Sequence, residues 1–504
     1  MPPTLALLEW LDWTIVGLYA AVVVYVAWRA NRRERTSAQF LLAGGKLPGW
    51  VVAASLLATS FSSISLVSLP SMGYLRGLGF LQLWVGELLA AAIVVALFVP
   101  AYRRAGVTTA YQLLEQRLGR TSRRVASFLF ILFTWLRSSM LLLLTARAVE
   151  VFSGLPLADS ILLVGLIAMT YSAVGGLGAV VWTDVIQLGL VIVGLGGAAW
   201  LLLDGLPGGI GAVFTKNSAE AGRPIVDVSL SLKAWPTLLS GSLAYAVPLL
   251  YVSGTNQQMV QRYAACRDAA SARRAVLGAW GLGLGVGALA LFLGAALFAR
   301  EGAGYAPPDR ELLTWLVHHA PLGVGGVMAA AIFAAAMSSV DSAVHALATS
   351  TLVDGIEAAR GEPLPDRQRL RWARGLVLAY GLMATGGALL LVGWARGETV
   401  FQKLVDWLAL FSGPGLALFL LALSRRRPRE PAVLLGMLFG FAAAAWLGRV
   451  WGQAPAWFDR SAVSGIWKAP FGLVVSVGAA WVLSPLLLGG KRPPEASPTS
   501  SEQT

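Results

Sequence analysis

The chain has 504 residues, of which 57% are hydrophobic and only 13% charged, with a mean hydropathy of +0.68 and 19 Trp. A soluble domain carries about 25% charged residues, so this composition excludes a water-soluble globular protein and indicates a polytopic membrane protein. The formal charge of +13 does not indicate a nucleic-acid partner, because the bases are spread over many loops instead of being gathered in one domain.

Apolar segments of roughly 20 residues, the length that crosses a hydrocarbon core, recur along the chain, and about thirteen are predicted. The first, 12–28, follows Glu9 and Asp12 without a basic leader, so it is expected to be retained as a helix. A basic loop leads through FLLAGGKLPGW to a second segment, 50–74, whose middle holds Ala58, Thr59, Ser60, Phe61, Ser62, Ser63 and Ser65 ahead of Pro70. That hydroxyl run with Pro70 and Gly73 weakens a continuous helix and leaves carbonyls in need of partners. The third segment, 80–102, carries Gln82 and Glu87, and the fourth, 125–152, carries Arg137.

A short fifth segment ends at Gly175-Gly176, and the sixth opens with WTDVIQ, placing Asp184 and Gln187 in its first turns. Residues 205–235 form the longest external connection. The seventh segment, 235–256, is interrupted by Pro236, Gly241, Pro248 and Gly254 and exits through TNQQMVQRY. The eighth is 276–298, and the ninth, 324–353, contains Ser338, Ser339, Asp341, Ser342 and His345. Ser338, Asp341, Ser342 and His345 fall at i, i+3, i+4 and i+7, one face of a helix. Four further segments complete the membrane part, giving one transmembrane domain over 1–489 with a core of about 49–424, followed by a short polar tail, 490–504.

Most of the 39 Lys and Arg lie in alternate loops and the tail. By the positive-inside rule those loops and the C-terminus are cytoplasmic and the N-terminus is outside, in a cell or inner membrane. The single Cys266 rules out an intramolecular disulfide and a cysteine-only metal cage. Segments two and seven are the most interrupted, and each opens a block of five helices running in opposite directions, the sequence pointer to inverted repeats around a midplane site.

AAMSSVDSAVHALATSTLVDG, WTDVIQ after a Gly-Gly turn, TNQQMVQRY and FLLAGGKLPGW before a hydroxyl-rich helix together resemble the sodium:solute symporter family, over about residues 12–425. The resemblance implies an all-α integral membrane protein with a leucine-transporter-like five-plus-five core and flanking helices. It also implies Na+ as coupling ion, held by the carbonyls of Ala58, Phe61 and Ala335 and the hydroxyls of Ser338 and Ser339. An oxygen-only set suits a hard cation, although serines in Ala-rich membrane helices also bond their own i−4 carbonyls and permit close packing. Members with a second, deeper ion would place it at Asp184, Ser338, Asp341 and Ser342. This chain departs from them by carrying Asp341 in place of a hydroxyl, so a second cation, a proton held between like charges and a structural bond all remain open.

Arg137 is the substrate indicator. A guanidinium in mid-span costs on the order of 2.5 to 3.5 kcal/mol, which calls for a partner or a water-filled cavity, and its planar fork suits a carboxylate. The run LRSSMLLLLTARAVEVFSGL resembles the sialic-acid-transporting members, which implies that Arg137 meets a solute carboxylate, with Ser60, Ser62, Ser65 and Gln82 on its hydroxyl or amide groups. Pairing of Arg137 with Glu87 is the structural alternative. The expected function is therefore sodium-coupled import of a small polar, carboxylate-bearing solute. The alternatives are a neutral sugar or amino acid with Arg137 structural and, more distantly, a membrane sensor. No HExxH or Cys/His cluster suggests an enzyme, and the expected partners are the solute and the bilayer, with no nucleic acid and no obligate protein partner.

Overall fold

The computed structural model describes residues 9–31, 36–305, 311–392, 400–448 and 463–487; the polar tail 490–504 lies outside the described residues. The architecture is all-helical, with a single isolated bridge, Leu47 to Cys266, among the described residues. Eight described helices are long and apolar enough to cross a membrane, and four shorter apolar helices accompany them.

Helix α1 (Trp10–Asn31) is followed by α2 (Ser37–Leu42), which starts where Thr36 and Gln39 form a reciprocal capping box. Next come α3 (Gly49–Ser60), α4 (Ser63–Arg76), α5 (Leu83–Ile93) and α6 (Val99–Ala105). Helix α7 (Ala110–Arg117) is opened by a second capping box, Thr109 with Gln112. Then follow α8 (Arg120–Ser153), α9 (Leu157–Val174), α10 (Leu177–Leu203) and the short external α11 (Gly209–Phe214). Helix α12 (Ala246–Thr255) ends at Asn256, whose ψ of 129° turns the chain and whose side chain caps α13 (Gln257–Ala265). Asp268 caps α14 (Ala269–Glu301), accepting from Ser271 N at 2.6 Å. Helix α15 (Glu311–His319) leads to α16 (Val324–Ser350), a one-turn α17 (Ala358–Arg360), α18 (Asp366–Leu391), α19 (Val400–Leu423), α20 (Glu430–Leu447) and α21 (Lys468–Leu483).

The two interrupted segments differ. The second is broken outright: Phe61 (φ −87°, ψ 84°) and Ser62 (φ −83°, ψ 174°) leave helical geometry between α3 and α4. The seventh is not broken in mid-span. It widens into a π-helical turn at Ser240–Ala244, and its sharp turn comes at Asn256, at the exit. Pro248 lies in the first turn of α12, directly after that π-helical turn, and the ladder resumes with Leu249 N donating to Tyr245 O.

Helix α16 is the axis of the bundle. In its central apolar window 89% of residues are buried, against 28–61% in the other seven long helices. Its ends are pinned by side chains from elsewhere. At the first turn Gly323 has no side chain to cap with, and Asp12 of α1 accepts from Gly323 N (3.0 Å) and Gly326 N (2.7 Å) instead. At the far end Asp354 is held by Thr109 Oγ1 (2.7 Å), Arg123 Nε (2.9 Å) and Ser350 Oγ (2.8 Å).

Helix α4 lies directly on α14 because small residues face each other there. A Cβ on Gly294 would stand 1.7 Å from Pro70 O, and one on Gly73 2.0 Å from Leu291 O. Backbone-on-backbone approach of this kind is how membrane helices gain packing energy where no hydrophobic drive separates protein from lipid.

Candidate functional site

The break between α3 and α4 removes hydrogen-bond donors from specific carbonyls. In an unbroken helix Ala58 O and Thr59 O would accept from Ser62 and Ser63 N–H groups. With Phe61 and Ser62 out of register, α16 supplies the donors: Ser338 Oγ lies 2.8 Å from Ala58 O, and Ser339 Oγ 3.3 Å from Thr59 O. Both hydroxyls also reach back to Ala335 O, at 3.0 and 3.2 Å. Ala58, Ala335, Ser338 and Ser339 are thus brought to one point, and the ψ of 84° at Phe61 takes its carbonyl out of the helical ladder. Every one of these residues is buried. Thr59, which sequence reasoning gave no role here, contributes a carbonyl as well.

One turn further along α16 the same face meets a charge cluster. Asp184 Oδ2 accepts from Ser55 Oγ (2.5 Å) and from Arg262 Nη2 (3.0 Å), and the ion pair is fully buried on both sides. Arg262 Nη2 also reaches Ser342 Oγ (2.5 Å), Nε reaches Ser55 Oγ (2.7 Å) and Nη1 reaches Gln258 O (2.9 Å), while Ser342 Oγ lies 2.9 Å from Thr59 Oγ1. Asp184 Oδ1 has no hydrogen-bond partner among the described residues. Asp184 and Ser342 therefore converge as the sequence predicts, but around a guanidinium. Asp341 and His345 are fully buried on the same helix, and the His345 ring lies 5.4 Å from that of Phe40.

Arg262 is the buried charge of this cluster that the sequence does not single out, since there it counts as one more base of a cytoplasmic loop. Its signal is present in the motif TNQQMVQRY, each of whose polar side chains has a separate target. Asn256 caps α13. Gln257 accepts from Ala110 N (2.8 Å) and donates to Thr108 O (2.9 Å). Gln258 accepts from Arg137 Nη1 (3.3 Å). Gln261 donates to Leu41 O (2.6 Å) and Thr349 Oγ1 (3.0 Å), and Tyr263 Oη donates to Ser253 O (2.8 Å). Helix α13 thereby clamps α2, α7, α8, α10 and α16 at the end of the bundle where the basic loops gather.

Arg137 is half-buried on α8. Among the described residues its only hydrogen bond is to the neutral Gln258 amide, and it makes no ion pair, so Glu87 is not its partner. Most of its donors therefore remain available. At the break, Ser60 is exposed and bonds back to Leu56 O (2.9 Å), Ser62 is buried, and Ser65 is half-buried. Gln82 is placed differently. Its amide donates to Gly79 O (3.0 Å) and accepts from Asp227 N (2.8 Å), which ties the external connection to the turn between α4 and α5.

Comparison with known proteins fits this geometry. The model of the sodium:solute symporter family matches residues 40–440. The chain is 29% identical over 449 residues to the sodium/sialic acid symporter NanT of Aliivibrio fischeri, covering 86% of each protein. It is 30% identical over 434 residues to the human sodium/iodide cotransporter, covering 83% of this chain and 66% of that one. A solved structure of a Na+-coupled sialic acid symporter in a substrate-bound, outward-open state superposes with a TM-score of 0.84 at 24% identity, over 96% of this chain and 99% of that one, which shows a shared fold.

Proposed function

The chain belongs to the sodium:solute symporter family and is a Na+-coupled membrane transporter, not an enzyme; from that premise we propose that its solute is a small carboxylate-bearing molecule of the sugar-acid class. The observation that carries the reading is Arg137, a guanidinium in the middle of a membrane span whose only described partner is the neutral Gln258. A buried or half-buried arginine without a carboxylate is costly, and a solute carboxylate would supply the missing charge in bidentate form. The relatives named for sialic acid transport support the same class. Ser60, Ser62 and Ser65 at the helix break would meet the solute's hydroxyl or amide groups. Gln82, with both ends of its amide satisfied, is assigned to holding the external connection.

The coupling ion would sit between the carbonyls of Ala58, Phe61 and Ala335 and the hydroxyls of Ser338 and Ser339. In the described geometry the two serines donate to the carbonyls of Ala58, Thr59 and Ala335; turning the hydroxyl hydrogens away exposes an oxygen-only set to one hard cation. Asp184, Asp341 and Ser342 form a second cation or proton site that opens when Arg262 withdraws. The unpartnered Asp184 Oδ1 supports this, since the guanidinium neutralises one oxygen and leaves the other available.

The transport reading also includes thirteen crossings with a five-plus-five inverted core, the N-terminus outside and the C-terminus cytoplasmic. Each Na+ entering with the membrane potential contributes about 2.3 kcal/mol per 100 mV.

Uptake into proteoliposomes tests the scheme. A sialic-acid-type sugar acid should accumulate only under an inward Na+ gradient, and Ser338→Ala with Ser339→Ala should raise the Na+ concentration for half-maximal uptake at least tenfold. Uptake that is indifferent to exchanging Na+ for K+ would remove the ion assignment. Accumulation of neutral sugars or amino acids alone would return Arg137 to a structural role.

A further inference from the structure

The lateral surface of the bundle carries a groove of about 710 Å³ between α3, α10 and α14, away from the helix break and from Arg137. Its shape follows from residue size. Helix α3 is only 12 residues long, about 18 Å at 1.5 Å per residue, and apart from Trp50 it lines the groove with the small residues Gly49, Ala53 and Ala54. Across from them Gly189 of α10 has open space around its Cβ position, whereas Gly49 and Gly278 let α3 and α14 close on each other, a Cβ on Gly278 lying 3.2 Å from that of Ala53, so the hollow lies on the α10 side. The walls are Leu188, Ile192 and Leu282. Around it, the outward faces of α10 and α14 are apolar and exposed, with Val193 at 62% and Leu277 at 45%, as expected of surfaces that face acyl chains.

One end of the groove is different in kind. Arg267, in the link just ahead of the α14 cap Asp268, and Arg274, in the second turn of α14, line it together with Ser271. Arg267 Nε lies 3.1 Å from Ser271 Oγ and 3.2 Å from Asp268 Oδ2, and Arg274 Nε 3.4 Å from Ala270 O. The terminal nitrogens of both arginines donate no hydrogen bond among the described residues. The nearest carboxylate, Asp268, caps α14 through Oδ1 and pairs with Arg267 Nε through Oδ2, so the two arginines and this carboxylate leave one net positive charge at the mouth. Trp50 and Trp182 stand at the same end, 62% and 42% exposed and in edge contact at 5.8 Å, which is how aromatic side chains mark the boundary between hydrocarbon and headgroups.

We propose that this groove binds one anionic phospholipid, its phosphate on Arg267 and Arg274 and one acyl chain lying in the hollow against Ala53, Ala54 and Gly189. The charge at the mouth and the apolar floor fit the two parts of such a molecule, and basic pockets between spans are the expected form of anionic-lipid sites. The lipid's leaflet, the cytoplasmic one, rests on the orientation proposed above. The site itself rests only on the chain being embedded in a bilayer. An acyl chain there would also fill the space beside α3, the half-helix that carries Ala58.

Native mass spectrometry of the full chain in detergent, titrated with dioleoyl phosphatidylglycerol or dioleoyl phosphatidylcholine, tests the proposal. One phosphatidylglycerol should be retained preferentially. Arg267→Ala with Arg274→Ala should weaken it about 30-fold, at roughly a fivefold factor per arginine beside an anionic group, and the double Lys variant should restore it. Gly189→Phe should also displace it with both arginines intact, because the position has open space around its Cβ and the ring would occupy the tail slot without straining the backbone.

Equal retention of the two lipids, or unchanged phosphatidylglycerol binding in the Ala variant, would overturn the site. Full binding in Gly189→Phe would reduce it to a basic surface without a groove, and equal competition by inorganic phosphate to an anion site without a lipid. Na+-driven uptake is measured separately, so loss of the symport reading leaves the lipid result standing, and the reverse.

Discussion

Replacing Arg262 by Met probes the buried charge cluster most directly. Four groups depend on the guanidinium: Asp184 Oδ2 at 3.0 Å, Ser55 Oγ at 2.7 Å, Ser342 Oγ at 2.5 Å and Gln258 O at 2.9 Å. Met keeps much of the volume but leaves Asp184 as a buried carboxylate with Ser55 as its remaining donor. Removing one partner of a fully buried ion pair costs about 3–5 kcal/mol, whereas neutralising both members is often close to neutral. At about 2 °C per kcal/mol for a chain of this size, Arg262→Met should lower the apparent melting temperature in detergent by roughly 6–10 °C. Asp184→Asn added to it should recover most of that loss. Thermal unfolding of the four members of the cycle, followed by intrinsic fluorescence, gives the coupling, expected at about 2–3 kcal/mol. A single variant within about 1 °C of the parent, or a double variant losing the sum of both, would refute the view that these charges hold each other in place.

Gly294→Ala places a Cβ 1.7 Å from Pro70 O, with backbone on both sides and no side chain able to yield. It should cost about 1–3 kcal/mol or more, read as a lower melting temperature, and a stable variant would show that α4 and α14 separate freely. Arg137→Lys keeps the charge but not the planar fork, so uptake of acidic solutes should fall sharply; wild-type uptake would mean that Arg137 does not grip a carboxylate. Cys266 caps the end of α13, outside the spans, and burial pushes its thiol up to about 12. Since the thiolate is the nucleophile, maleimide labelling of the folded protein should stay negligible and flat from pH 7 to 9, whereas the denatured chain should show the rise of an ordinary thiol. Rapid labelling of the folded protein at pH 7 would place Cys266 at the surface.

Much of this was legible in order along the chain. Composition and segment length sufficed for a helical membrane protein, because the hydrocarbon core imposes both. The hydroxyl run 58–65 announced a broken helix, since Ser and Thr compete for backbone groups and Pro70 removes a donor. The one-face spacing of Ser338, Asp341 and Ser342 followed from helical periodicity alone, and the four motifs placed the chain in its family.

Only the tertiary structure decided which groups those residues face. Gln82 looks like a solute ligand from its position in a span, yet its amide is taken by Gly79 and by Asp227, 145 residues away. Arg262 looks like one base among many in a loop, because positive charge near a span end normally records orientation. Its burial depends on Asp184, Ser55 and Ser342 arriving from three other helices, a coincidence in space that no local pattern encodes. The seventh segment looks broken because it contains Pro and Gly, but the packing around it keeps the span helical and moves the turn to Asn256. Periodicity specifies which face a side chain occupies. What lies across from that face is set by how the helices pack, and at this site that packing decides whether a carboxylate meets an ion or an arginine.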